Sequence, residues 1–223
     1  MEQVAEQATK QKKRSWSYSA LKLYEQCAFK YKCNKIDKIP DPPSYAVLKG
    51  FEAHEKAEAY LKDDGPMVQS MSTFAKEFMK LKELGATSER GLVLADNWSV
   101  LGEDDAWLHD DAWLRLKIDA SLDNLVIDFK TGKQYDDHVH QGRLYGAAIL
   151  IAHPEFDEVD VEFWYLNSGA VSSFIVKRTE LQNEIDHWSA RVEKLMSETD
   201  WAPTKNQYCK YCAYKKICPL FKK

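Results

Sequence analysis

Apolar positions recur along this chain with two different periods. From Ser17, the segment SYSALKLYEQCAFKYKC sets Leu21, Tyr24 and Phe29 at helical spacing behind a residue type that caps helix N-termini. A first helix is predicted there. IPDPPS must end it, because its three prolines lack amide donors and fix φ. Further helices are expected over 44–62 and 72–84. The period then shortens. GLVLADNWSV, AWLRLKIDASL and NLVIDFKTG are short, β-rich and partly alternating, and SLDN between the last two predicts a hairpin. DDAWL occurs at 104–108 and 110–114, too close for a repeat architecture, and reads as an acidic turn running into a strand. HVHQGRLYGAAILIAH is helical, VDVEFWYLN and SSFIVKRT are strands, and Thr179 with Gln182 predicts a capping box opening a helix to about Glu198. Helices around a central mixed sheet give an α/β (α+β) core. The expected division is a disordered tail over 1–14, a core with an N-terminal helical part over 15–200, and a cysteine-rich segment over 201–223.

Composition narrows the class. Of 223 residues, 44% are apolar and 30% charged, as in a soluble globular chain. No apolar run approaches the roughly 20 residues that span a bilayer, so no membrane partner is expected. The basic N-terminus lacks an apolar stretch behind it and is not read as a secretory signal. A cytoplasmic protein of a prokaryotic or phage-infected cell is the expectation, and there disulfides are the weaker use for five cysteines. The net charge of −4 argues against a polyanionic partner until its distribution is considered. Residues 10–38 hold nine Lys/Arg against Glu25 and Asp37, and 205–223 hold six lysines and no acid. This reads either as a basic binding face beside an acidic, metal-binding body or as two solvated ends.

Candidate chemistry centres on Asp119, Asp128 and Lys130. Asp119 lies on RLKID, and Asp128 and Lys130 on the next strand, VIDFK. Residues two apart in a strand share a face, so Asp128 and Lys130 point together while Phe129 turns into the core. Two carboxylates suit a hard cation such as Mg²⁺, and the ammonium can orient the attacking water or balance phosphoryl charge. The competing reading is an ordinary Asp–Lys ion pair. Gln141 and Tyr145 lie four apart on the following helix, and His54 follows Gly50 by four on an earlier one.

The order Gly50-x-x-x-His54, Asp119, Asp128-x-Lys130-Thr-Gly, Gln141-x-x-x-Tyr145 resembles the RecB-like branch of the PD-(D/E)XK nuclease superfamily. The resemblance implies a restriction-endonuclease-like core and Mg²⁺ or Mn²⁺ held by His54, Asp119, Asp128 and the Phe129 carbonyl. It further implies catalysis by Lys130 and DNA contact by Gln141 and Tyr145, with Glu89 near the site. Leu116-Lys117-Ile118 stands where the family often has a glycine, and Asp128 replaces the commoner glutamate.

Cys209-x-x-Cys212-x5-Cys218-Pro is dense, and Cys27 closes the first helix. Four thiolates without a nearby histidine fit [4Fe–4S] or zinc. One upstream and three C-terminal cysteines resemble the CRISPR-associated RecB-like exonucleases and the AddB nuclease domain, which implies a [4Fe–4S] cluster on Cys27, Cys209, Cys212 and Cys218. Cys33 either replaces Cys27 or is a plain buried thiol. Such a cluster would join the two basic segments into one DNA-binding patch containing Lys215 and Lys216. Tyr208, Tyr211, Tyr214 and Phe221 would stack on unpaired bases or simply shield the cluster. The expected activity is exonucleolytic, on single-stranded DNA or DNA ends, in recombination or repair. The alternatives are an iron–sulfur DNA-binding module and a nuclease subunit active only within a recombination or CRISPR-adaptation complex.

Overall fold

The computed structural model describes residues 14–222, so all of the expected tail except Arg14 lies outside the described residues. Helix α1 (Tyr18–Gln26) starts where expected: Ser17 is extended, and its Oγ accepts a 3.3 Å hydrogen bond from the Ala20 amide. It stops at Cys27, also extended, and is followed by a single α-turn, α2 (Ala28–Tyr31), and a π-turn (Lys32–Ile36). Ser44 caps α3 (Tyr45–Leu61) in the same way. The third helix begins later than expected, because Gln69–Phe74 forms a 3₁₀ turn before α4 (Ala75–Glu83).

The strands are β1 (Thr87–Leu94), β2 (Val100–Gly102), β3 (Leu114–Leu122), β4 (Leu125–Lys130), β5 (Glu158–Tyr165) and β6 (Ala170–Lys177). They form one mixed sheet in the order β2-β1-β3-β4-β5-β6. The expected β3–β4 hairpin is present, with Leu122 opposite Leu125. Only β4 and β5 run parallel, and α5 (Asp137–Ala152) makes the crossover between them. After β6 the chain enters a 3₁₀ turn (Arg178–Glu180) and then α6 (Leu181–Met196). That turn overturns the capping-box expectation. It winds Thr179 into the helical entry, α6 has no side-chain cap, and Gln182 donates forward to Asp186 at 2.8 Å.

Two cores sandwich the sheet. On one face α1, α5 and α6 bury Leu21, Leu144, Ala148 and Trp188 against Ile118, Val126, Val161 and Phe163. On the other, α3 and α4 bury Ala53, Ala57, Phe78 and Leu81 against Ile127, Phe129 and Trp164. β4 thus alternates as its period requires, with Val126 toward α5 and Ile127 and Phe129 toward α3 and α4. Phe129 meets Phe78 at 5.0 Å and Trp164 at 5.9 Å between ring centroids. Truncating it to alanine would cost about 3–5 kcal/mol. Helix α5 lies close on the sheet because Gly142 and Gly146 face it: a Cβ at Gly142 would stand 2.7 Å from both Phe174 and Val161. Among the described residues, no helix is long and apolar enough to cross a membrane.

Candidate active site

The site forms where the β3–β4 ladder lapses. Backbone pairing runs from Leu122–Leu125 to Ala120–Ile127 and is not continued at Asp119 and Asp128. In its place the Asp119 carboxylate closes the gap, with Oδ2 accepting a 2.6 Å hydrogen bond from the Phe129 amide. Its other oxygen lies 3.1 Å from His54 Nδ1 on α3. On the far side of β3, Ser88 pairs with Ala120 and Arg90 with Ile118, so Glu89 stands opposite Asp119. Glu89 holds a positive φ of 51° inside a strand, a conformation that costs a non-glycine residue about 1–3 kcal/mol. The gathering that results is compact: His54, Glu89 and Asp119 each offer a donor atom within 4.8 Å of the others.

Burial and two neighbouring carboxylates, Asp119 and Glu58, push the Glu89 carboxyl above its usual range. Burial disfavours the His54 imidazolium, but the hydrogen bond and charge of Asp119 outweigh it and raise the imidazole pKa. A concentration of half-buried acids whose charge is only partly met by one histidine suits a hard divalent cation. Glu58, four residues beyond His54 on α3, lines the outer groove with Val47, Phe51 and Glu89. It is absent from the residues expected at the site, although its i+4 spacing from His54 pointed to it.

Asp128 is turned to a second group. It is 3% exposed. Its Oδ2 lies 2.5 Å from Lys130 Nζ, yet that oxygen makes no aligned hydrogen bond. Burial first, and then the nearby Asp119 charge, push its carboxyl up to about 7. Lys130 Nζ also donates to Gln141 Oε1 at 2.9 Å, and Gln141 Nε2 donates to Tyr145 Oη at 2.7 Å. Tyr145 is buried and its pKa lies well above the ordinary phenol value, so it remains neutral. The same-face pairing of Asp128 and Lys130 agrees with the strand period, and Gln141 and Tyr145 meet it from α5. His138, one turn before Gln141, is a second residue that sequence reasoning missed. Burial and the Lys130 charge lower its pKa to about 4, and its Nδ1 lies 2.8 Å from Tyr165 Oη.

The cysteines occupy a separate place. Cys27, Cys209, Cys212 and Cys218 line one small cavity, with Lys215 also on its wall. All five cysteines are free. Cys33 is 1% exposed and does not line the cavity, and burial raises its thiol pKa. The thiols sit on irregular backbone, Cys27 at the α1–α2 break and Cys209 on a 3₁₀ turn (Gln207–Tyr211). Asn206 ties that turn to α1 through a 2.9 Å bond to the Gln26 carbonyl. Backbone amides of Thr204 and Asn206 point at the sulfurs of Cys27 and Cys209 at 3.5 and 3.4 Å. Lys215 lies 5.2 Å over the Phe221 ring, and Lys216 is exposed. Tyr208 and Tyr211 are exposed, whereas Tyr214 is buried with its hydroxyl bonded to the Ile39 carbonyl and to Asn34. Tyr214 therefore braces the protein and offers no ring to a base.

Residues 115–219, from β3 to just past the last cysteine, match the model of the PD-(D/E)XK nuclease superfamily. His54, Glu89, Cys27 and Cys33 precede the matched stretch. No protein of curated function matches the chain. Among solved structures, a "putative exonuclease" from Eubacterium rectale is similar in fold, with a TM-score of 0.52 and 14% identity over 96% of this chain and 93% of that one. The crystal structure of SSO0001 aligns over 96% of this chain and 89% of its own with a TM-score of 0.48 and 14% identity.

Proposed function

We propose that the protein is a divalent-metal-dependent DNA nuclease, acting as an exonuclease on single-stranded DNA or DNA ends. The observation that carries this reading is the pair of groups joined through Asp119: a three-donor gathering on one side and the Asp128–Lys130 pair on the other. His54, Glu89, Asp119, Asp128 and the Phe129 carbonyl are the proposed ligands of Mg²⁺ or Mn²⁺. The unbonded oxygen of buried Asp128 fits that role, because a buried carboxylate needs a stronger partner than one poorly aligned ammonium. Bound there, a divalent cation supplies positive charge for the transferring phosphoryl group and a nucleophile at neutral pH.

The remaining steps belong to the chain's own residues. Lys130 directs its ammonium at the developing phosphoryl charge and orients the water that attacks in line. Gln141 fixes the lysine head through its Oε1 and is itself fixed by neutral Tyr145. The superfamily match and the Eubacterium rectale neighbour support this chemistry.

The four-cysteine cavity is proposed to hold a [4Fe–4S] cluster. Among the described residues, no three thiol sulfurs come within 4.8 Å of one another. Four cysteines around one cavity, with no histidine on its wall, are the donor set that such a cluster takes. The cluster's part is structural, stapling α1 to the C-terminal segment.

Anaerobically purified protein should be brown and should degrade an end-labelled single strand only when Mg²⁺ or Mn²⁺ is added. Colourless protein carrying stoichiometric zinc would remove the cluster. Cleavage that is unaffected by chelation would remove the metal mechanism.

A further inference from the structure

A cavity of about 610 Å³ lies beside the Lys130 relay and is not part of the metal gathering. Gln141 and Tyr145 form one wall. The others come from the start of α1, the π-turn and the residues just after it, and β3 just ahead of Asp119. Five cationic side chains line it, and among the described residues no carboxylate does. Two of the five are already engaged. Arg14 donates to the Leu195 carbonyl and stacks on Trp201, and Lys117 pairs with Asp104 at 2.9 Å.

Three cations remain. Lys35 and Lys38 are exposed and form no ion pair among the described residues. Among the described residues, Arg115 makes one side-chain hydrogen bond, from Nη1 to Ser15 Oγ at 2.6 Å, while its buried Nε has no partner. A guanidinium with an unsatisfied donor is costly unless an acceptor joins it, and phosphate oxygens match its fork.

The lysine wall is also built rigidly. Lys38 holds a positive φ of 56°. The next residue, Ile39, is anchored at both ends: its amide donates to the Cys33 carbonyl and its carbonyl accepts from Tyr214 Oη. Strain retained in this way marks positions that the surrounding structure over-determines. The cysteine-rich segment thus braces the cationic wall from behind, and Trp107 offers a half-buried indole beside it.

We infer that this cavity is the channel in which a single strand of DNA lies before its phosphodiester reaches the metal centre, with Lys35, Lys38 and Arg115 on its phosphates. The inference rests on the nuclease reading for what happens next, but not for binding. A small-ligand-sized cavity has no room for a duplex, whereas a flexible strand with stacked bases can enter it.

The test is fluorescence anisotropy of a fluorescein-labelled oligo(dT) strand with the full chain in EDTA, alongside cleavage in Mg²⁺. Lys35→Gln/Lys38→Gln, at exposed positions without ion-pair partners among the described residues, should weaken strand binding about tenfold or more. It should also lower the salt slope by roughly 0.7 for each phosphate that is no longer neutralised. In the cleavage assay KM should rise while kcat holds. Arg115→Gln should do the same, and Lys76→Gln/Lys80→Gln on α4 should change nothing. Wild-type binding and KM in the first double variant, equal losses in the α4 control, or a blunt duplex bound as tightly as the strand would each overturn the channel. If the strand binds through Lys35 and Lys38 but is never cut in Mg²⁺ or Mn²⁺, the channel stands and the nuclease reading falls. If it is cut normally by the Lys35/Lys38 variant, the reverse holds.

Discussion

The metal gathering and the cysteine cavity are both assembled from distant parts of the chain, yet they are held together differently. Around Asp119 most groups are engaged by protein, although Asp128 Oδ2 makes no aligned hydrogen bond. The Asp119 carboxylate bridges the Phe129 amide and His54, Asp128 faces Lys130, and Lys130 faces Gln141. That side is anchored in two cores on a six-stranded sheet, and it would keep its shape without a cation. The thiols sit on turns and breaks, touched mainly by two long amide–sulfur contacts, and Asn206 and Tyr214 do most of the tying. One region places charge on a rigid frame. The other asks its ligand to complete the frame.

Substitutions should separate the two regions, beginning with the largest effect. Asp119→Ala or Asp128→Ala should abolish metal-dependent cleavage, a loss of about 10³-fold or more if a cation supplies several kcal/mol to the transition state. Both variants should remain folded with full iron content, as checked by melting and visible spectra. Normal cleavage by Asp128→Ala, with contaminating nuclease excluded, would end the mechanism.

Lys130→Ala should leave Mn²⁺ affinity by calorimetry nearly unchanged and depress kcat at saturating metal by about 10²–10⁴-fold. Equal losses in metal affinity would instead make Lys130 part of the cation's holder.

The cysteine region should answer in stability. Cys209→Ala or Cys218→Ala should strip iron and lower the melting temperature by roughly 10 °C, because opening a very long covalent loop releases several kcal/mol of unfolded-state entropy. Cys33→Ala should lower it by less, as a small buried truncation does. Severe damage from Cys33→Ala with none from Cys27→Ala would reassign the fourth ligand.

The smallest effect is in pH. With Asp128 raised from 3.8 to about 7, the folded state holds a proton that the unfolded chain releases, so this group favours folding at low pH. Its contribution falls as pH rises from about 4 to about 7. The raised imidazole of His54 adds in the same sense, its stabilisation being lost as pH climbs through its folded pKa. Melting of the apo-metal protein should therefore drop by a few degrees between about pH 5 and pH 8. Saturating Mg²⁺ should flatten the trend, since the cation replaces the proton. An identical slope with and without Mg²⁺ would detach these groups from the metal.

Much of this frame was legible locally. Ser17 and Ser44 announced their helices, the SLDN turn its hairpin, and the period of two placed Asp128 and Lys130 together. Each of these depends on residues within a few positions of one another, where backbone geometry alone fixes what meets what. The capping box at Thr179 failed for a related reason: a motif marks a cap only if the chain enters the helix at that residue, and the 3₁₀ turn shifted the entry.

The company that Asp119 keeps was implied by the family resemblance alone, and no local period encodes it. Glu89 reaches it through the β1–β3 register and a left-handed backbone, His54 through the docking of α3 on the opposite face from α5. The choice of Cys27 over Cys33 for the cavity wall turns on one break between α1 and α2. Sequence alone determined the elements, their faces and the residue types that chemistry would need. Tertiary structure decided which of those residues share a site, because burial of two apolar faces fixes strand order and helix docking over distances that no local period encodes.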